Sequence, residues 1–285
     1  MLDIDPLRDG PTPLPASTVV LVRDGTAGLE VFLVQRHKAT TFMGGAYVFP
    51  GGKLDAADAD PSLRARSAGP DDDALLAALG PSERLDPAAA RALYVTAVRE
   101  TFEEAGVLLV KGPRPAPDLL AAGRSRLLAG ERFDQVLEAL DATLDLGRLQ
   151  PLSRWITPAV ERRRFDARFF LAVVDPAESA TADVQETVAA LWGTPRDVIA
   201  RHLAGTLDLP PPTLRTLELL ATHGSAAAAL AAAAARPVPL VRPVFRALES
   251  GWLLALPGDP EHPEAERVLD GPTRFVCRDG RWFSG

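Results

Sequence analysis

The feature that most constrains this chain is the octapeptide Arg99-Glu100-Thr101-Phe102-Glu103-Glu104-Ala105-Gly106. Its spacing predicts a helix that the glycine terminates. At about 100° per residue, Glu100, Glu103 and Glu104 then fall within an arc of roughly 100°. Unpaired carboxylates so placed repel one another by a few tenths of a kcal/mol, about 0.3 per close pair. A solvated helix end is the plain reading of any Glu-Glu pair. The full Arg-Glu-x-x-Glu-Glu-x-Gly pattern, with each residue at about 6% abundance, arises by chance about once per million windows. The crowding therefore points to a divalent cation, and an all-oxygen donor set suits Mg²⁺ or Mn²⁺.

The same angles sort the three carboxylates. Asp86 followed by Pro87 reads as an N-cap with proline in the first turn, so the helix is expected from there to Ala105. Ala90, Leu93, Tyr94, Ala97, Val98, Thr101, Phe102 and Ala105 occupy an apolar arc of about 180°. Glu104 lies at its edge, Glu100 just outside and Glu103 well outside. Charge at the rim of a core is costly unless compensated. Glu100 and Glu104 are thus the better metal ligands and Glu103 the outer partner.

The octapeptide resembles the second half of the Nudix box, the signature of hydrolases that cleave nucleoside diphosphates linked to another group. Phe49-Pro50-Gly51-Gly52-Lys53-Leu54-Asp55 resembles the first half, far upstream. The segment between, 56–85, looks like a loop inserted within the box, with a short helix near 74–79. Such an insertion is similar to that of the coenzyme A and acyl-CoA diphosphatases. Trp155-Ile156-Thr157-Pro158, Arg164-Phe165-Asp166, Phe169-Phe170-Leu171-Ala172, Glu186 ahead of Trp192, and Leu209-Pro210-Pro211-Pro212-Thr213 look like the same branch. The resemblance spans roughly 15–260.

It implies an α/β (α+β) fold, a Nudix-type α/β/α sandwich with a mixed sheet. It makes Gly51, through the backbone carbonyl near the glycine pair, a further metal ligand. It implies that Arg99 orients a glutamate and that Glu186 is the general base. The other readings are that Glu186 opens a helix after Asp183, and that Glu103 is the base. The glutamate that pairs with the arginine in the usual box has no clear counterpart. Counting forward from Gly52 reaches Asp58; counting back from Arg99 reaches Arg91. Thr101 also stands where an aliphatic residue is common.

A net charge of −7 argues against a nucleic-acid surface, which would need a basic stripe. The basic clusters that remain are local. Arg36, His37 and Lys38 follow a strand, and Arg162, Arg163 and Arg164 form the other group. Arg36, Lys38 and Arg164 are the candidate substrate contacts, with ordinary solvated strand ends as the alternative. The lone Cys277 allows no intrachain disulfide and is expected in the core. His37, His202, His223 and His262 show no zinc spacing. No signal peptide, peroxisomal C-terminal address or membrane span is expected, so the expected location is cytoplasmic.

Strands are expected at 17–23, 29–36, 45–49, 107–110, 153–157 and 167–174, with tail strands at 252–256 and 274–277. Helices are expected over 118–140 as a pair, 195–204 and 213–235. A single domain over 1–285 is the economical organisation, with a helical insertion at 113–150 and a C-terminal extension at 208–285. The resulting expectation is a Mg²⁺- or Mn²⁺-dependent hydrolase of a small nucleotide substrate. Coenzyme A or an acyl-CoA would be split to 3′,5′-ADP and a phosphopantetheine compound. The alternatives are ADP-ribose or NADH hydrolysis, and a non-catalytic nucleotide-sensing module; a homodimer is allowed for.

Overall fold

The structure is a computed structural model that describes residues 10–37, 44–82, 85–175, 180, 187–249 and 251–285. The chain opens with β1 (Leu14–Gly25) and β2 (Gly28–Arg36), then β3 (Tyr47–Val48) and β4 (Gly51–Lys53). After β4 come a 3₁₀ turn at Ala56–Ala59, α1 (Pro61–Ala65), β5 (Ser67–Ala68) and α2 (Asp72–Ala78). The carboxylate helix is α3 (Pro87–Ala105), followed by α4 (Pro117–Leu128), α5 (Phe133–Ala139) and β6 (Leu144–Asp145). Next come β7 (Gln150–Ile156), β8 (Phe165–Val173), β9 (Thr187–Gly193), α6 (Pro195–Leu203), α7 (Pro211–Leu220) and α8 (Ala226–Ala234). The tail supplies β10 (Leu240–Val241), β11 (Val244–Leu248), β12 (Gly251–Ala255), β13 (Arg274–Arg278) and β14 (Arg281–Ser284).

The main sheet runs β10-β7-β8-β1-β2-β3, with β4 also on β1 and β9 also on β2. It is mixed: β1 is parallel to β8 and antiparallel to β2, and β7 is antiparallel to β8. Both faces are covered, which explains why β1 reads as a continuous apolar run rather than an alternation. Val19 and Leu21 pack toward α3 with Phe32, Val34, Leu93 and Phe170. Val20 and Val22 face the opposite cluster, with Leu33, Trp155, Leu214 and Leu217. Ser17 Oγ donates to the Leu93 carbonyl at 2.7 Å and so fixes α3 on the sheet.

The tail strands expected at 252–256 and 274–277 belong to a separate antiparallel sheet, β11-β12-β13-β14. Its Leu254, Phe275, Cys277 and Trp282 join the same apolar cluster as Trp155 and Leu217. His202 helps to seat it. Its Nδ1 accepts from the Leu209 N–H at 3.2 Å, which leaves Nε2–H to donate to the Trp282 carbonyl at 2.7 Å.

Two expectations fail. The segment 107–110 is not a strand; only Val110 forms a bridge, to Leu144. Gly106, at φ 69°, turns the chain into the core, where the four residues are buried beneath α3 as irregular backbone. Leu109 O accepts from Asp145 N and Lys111 N donates to Thr143 O, so no ladder is needed. The helix over 213–235 is two helices. Ser225 caps α8 by accepting from Ala228 N at 3.2 Å, and this breaks the run after Leu220.

At the β7–β8 pairing, Asp166 bridges Arg154 at 2.7 and 2.8 Å and Arg168 at 3.1 Å. Burial alone would raise the Asp166 pKa. The Arg154 hydrogen bonds and the two guanidinium charges outweigh it and hold the carboxyl below its ordinary value. A depressed folded pKa contributes stability above the unfolded value, lost as pH falls through the folded one. The urea midpoint should therefore fall below about pH 4, and Asp166→Asn should flatten that acid limb. An unchanged limb would exclude this triad as its source.

Candidate active site

Asp86 accepts from Ala89 N at 2.7 Å and starts α3 as expected. At the other end, three glutamates meet β4. Gly51 N donates to Glu104 Oε2 at 2.9 Å, and Glu104 is 7% exposed. Both glycines are demanded by close approach. A Cβ at Gly51 would sit 2.3 Å from the Ser17 carbonyl oxygen, and one at Gly52 2.4 Å from the Glu100 carboxylate. Gly52→Ala should thus displace Glu100 while the fold survives. A loss of about 10–100-fold in Mn²⁺ affinity is expected by calorimetry, and unchanged affinity would show that Glu100 is not a ligand.

Arg99 is the hub of the cluster. It donates from Nε to Asp58 Oδ1 at 2.7 Å and from Nη2 to Asp58 Oδ2 at 2.9 Å. Its Nη1 reaches Glu100 Oε1 at 2.9 Å and Glu103 Oε2 at 3.1 Å. The structure thereby decides the partner that counting left open: it is Asp58, 3% exposed, which also accepts from Thr96 Oγ1 at 2.8 Å and Asp55 N at 3.0 Å. Arg91 instead pairs with Asp72 and staples α2 to α3. Thr101, buried in the aliphatic slot, satisfies its hydroxyl on the Ala97 carbonyl at 2.7 Å. Burial pushes the Glu100 carboxyl up to about 7, against the lowering charge of Arg99 and with the raising charge of Glu103. Such a group gains from a neighbouring cation.

Glu100, Glu103, Glu104 and the Gly51–Lys53 backbone form one wall of a cavity of about 440 Å³. The opposite wall is apolar, with Trp155, Phe165, Phe169, Phe245, Leu254 and Trp282. Arg36, Lys53 and Arg163 also line it, and Arg36 Nε is buried without a hydrogen-bond acceptor. Arg164 does not line the cavity. Its guanidinium donates to the Thr157 and Pro11 carbonyls at 3.0 and 2.9 Å. Lys38 and Glu186 lie outside the described residues.

Among the described residues no three or more acidic, imidazole or thiol groups stand arranged to hold a metal ion by themselves. The glutamates form an open, all-oxygen wall. That suits Mg²⁺-like ions, which keep water and take phosphate oxygens from substrate rather than a complete protein shell.

The family profile for the NUDT19 Nudix domain matches residues 14–220. The chain belongs to this Nudix hydrolase family. It is 30% identical to "Acyl-coenzyme A diphosphatase NUDT19" of Homo sapiens, covering 90% of this chain and 80% of that protein. The Gallus gallus protein of the same name is also 30% identical, over 91% of this chain and 77% of its own length. Among solved structures, a Nudix hydrolase from Alicyclobacillus acidocaldarius is 33% identical with a TM-score of 0.63, covering 77% of this chain and 96% of that one. Nudix hydrolases generally act with divalent metal ions.

Sequence reasoning missed Arg163 as the cavity-facing member of its triplet and left Asp58 undecided. Arg163 precedes β8, where strand alternation does not yet fix which side chain turns inward. For Asp58 a local signal existed. Asp55-x-x-Asp58 is a capping box around the 3₁₀ turn, and it fixes the Asp58 carboxylate in place for Arg99.

Proposed function

We propose that this Nudix hydrolase is a Mg²⁺- or Mn²⁺-dependent diphosphatase that cleaves coenzyme A or an acyl-CoA to 3′,5′-ADP and (acyl-)4′-phosphopantetheine. One observation carries the reading: a single cavity joins a carboxylate wall to a broad aromatic and aliphatic wall. A substrate with a charged diphosphate and a long arm that carries gem-dimethyl and methylene groups and, in an acyl-CoA, ends in a hydrocarbon chain matches both at once. The names of the human and chicken relatives support it.

Glu100 and Glu104 would hold the metal with Glu103 and the backbone at Gly51. Bound there, a divalent ion supplies charge neutralisation for the diphosphate and acidifies water. The protein's own contribution is positioning. Asp58 holds Arg99, and Arg99 holds Glu100 and Glu103, so the acidic wall keeps its shape before substrate arrives. Arg36 and Arg163 offer N–H groups to phosphate oxygens. Glu103, with its side chain 23% exposed, is the most accessible of the three glutamates and the candidate base among the described residues. Glu186 remains the rival.

A product assay on coenzyme A, an acyl-CoA, NADH and ADP-ribose with each metal tests the reading. The CoA compounds should be hydrolysed with the highest kcat/KM. Preference for ADP-ribose or NADH would replace the substrate; nucleotide binding without metal-stimulated turnover on any of them would make the chain a sensing module. Among the described residues no helix is long and apolar enough to cross a membrane.

A further inference from the structure

Behind Trp155 lies a second cavity, of about 310 Å³, bounded by α7, α8, β7 and the segment ahead of β13. Trp155 is a wall of both cavities. Leu152, Leu220, Ala229 and Ala233 give the second one an apolar floor.

Its polar wall is built around Arg215, 1% exposed. Nη2 donates to the Pro272 carbonyl and reaches Ser284 Oγ at 3.3 Å. Nη1 lies 2.7 Å from Glu218 Oε2 as an ion pair out of line for a hydrogen bond. Nε has no acceptor. Arg236 lines the same cavity, lies 4.0 Å from Asp270 Oδ2, and likewise has a buried Nε without an acceptor. Ser153 Oγ accepts from Trp155 Nε1 at 3.2 Å, which leaves its own proton to donate. Among the lining residues, the guanidinium groups of Arg215 and Arg236 thus face one carboxylate, Asp270, whose side chain is 92% exposed, and leave one positive charge in excess.

Buried N–H groups without acceptors are rare because each forfeits the hydrogen bonds it made in water. Two of them beside an apolar floor define what would fit: one negative charge with planar acceptor oxygens, and a short hydrocarbon part. A guanidinium edge matches a carboxylate. We propose that this cavity binds a small organic monoanion, a carboxylate with a short aliphatic tail. Its carboxylate lies on Arg215 and Arg236 and its tail on the alanine face of α8.

Calorimetric titration of the full chain with butyrate, butanamide and inorganic phosphate tests the site without any turnover, so its outcome is separate from the diphosphatase reading. Butyrate should bind with a Kd of about 1 mM, with butanamide and phosphate at least about tenfold weaker. Arg236→Gln should weaken butyrate about tenfold by removing a charged donor, and Ala232→Phe should abolish binding by filling the cavity. Both positions are partly exposed, so both variants should melt like the parent chain. Absence of butyrate binding, equal binding of butanamide, tighter binding of phosphate, or butyrate affinity unchanged in both variants would each overturn the proposal.

Discussion

Glu104→Gln is expected to lower turnover about 1,000-fold or more, a loss of about 4 kcal/mol of transition-state stabilisation, while the melting temperature stays near that of the parent. The two halves of that expectation have separate causes. Glutamine keeps the volume of a side chain that is 7% exposed, and its carbonyl oxygen can still accept the Gly51 N–H. Packing and the β4–α3 junction should therefore persist. What disappears is a negative charge in a place with little water to replace it. Glu100 and Glu103 are already engaged by Arg99 at 2.9 and 3.1 Å, so neither substitutes freely for the missing ligand. The check is steady-state kinetics on coenzyme A across a Mg²⁺ and Mn²⁺ series, beside thermal melts. Turnover within tenfold of the parent at saturating metal would remove Glu104 from the metal site. A collapsed melting temperature would mean that its charge serves the fold instead.

How much of this was legible in the chain depends on how local the determinant is. The span of α3, its Asp86 cap and its Gly106 stop follow from neighbouring residues alone, and all three stand where capping chemistry puts them. The two strands of the first hairpin were legible for the same reason. Residues 107–110 misled because an apolar run of four carries no period long enough to separate a strand from buried irregular chain. What decides it is a distant segment, 143–145, that takes up its backbone groups. The tail was half legible. β12 and the apolar Phe275-Val276-Cys277 centre of β13 show, whereas β11 and β14 are short edge strands that depend on partners supplied by the fold. The acidic wall of the site could be placed from angles on one helix. The aromatic wall could not, because Trp155, Phe245 and Trp282 come from three elements that only tertiary packing brings together.

The most destabilising substitution near the site is expected at Asp58, a residue that does not line the cavity. Asp58→Ala removes both carboxylate contacts to Arg99, whose side chain is 13% exposed, and takes the acceptor from Asp55 N, whereas Thr96 Oγ1 keeps the Ala92 carbonyl at 2.8 Å. Breaking a buried pair by deleting one partner costs about 3–5 kcal/mol, because the surviving charge stays desolvated. Arg99 keeps Glu100 and Glu103, which places the loss near the lower end, about 3 kcal/mol. Burial by itself would lower the Arg99 pKa, but the Asp58 hydrogen bonds and the nearby carboxylates reverse that and raise it, so the guanidinium cannot escape by losing its proton. Asp58→Asn keeps an acceptor for Thr96 and for Asp55 N but not the charge, and should cost less than the alanine variant. Both should also loosen Glu100 and Glu103, weakening metal binding by about 10–100-fold, as loss of a ligand's supporting group does. Urea unfolding and Mn²⁺ titration of the two variants, with Arg91→Gln as the comparison, separate the effects. Arg91→Gln cuts the tie from α3 to α2 and should leave metal affinity unchanged. If Arg91→Gln weakened Mn²⁺ as much as Asp58→Asn, the Arg99 hub would not be what shapes the acidic wall.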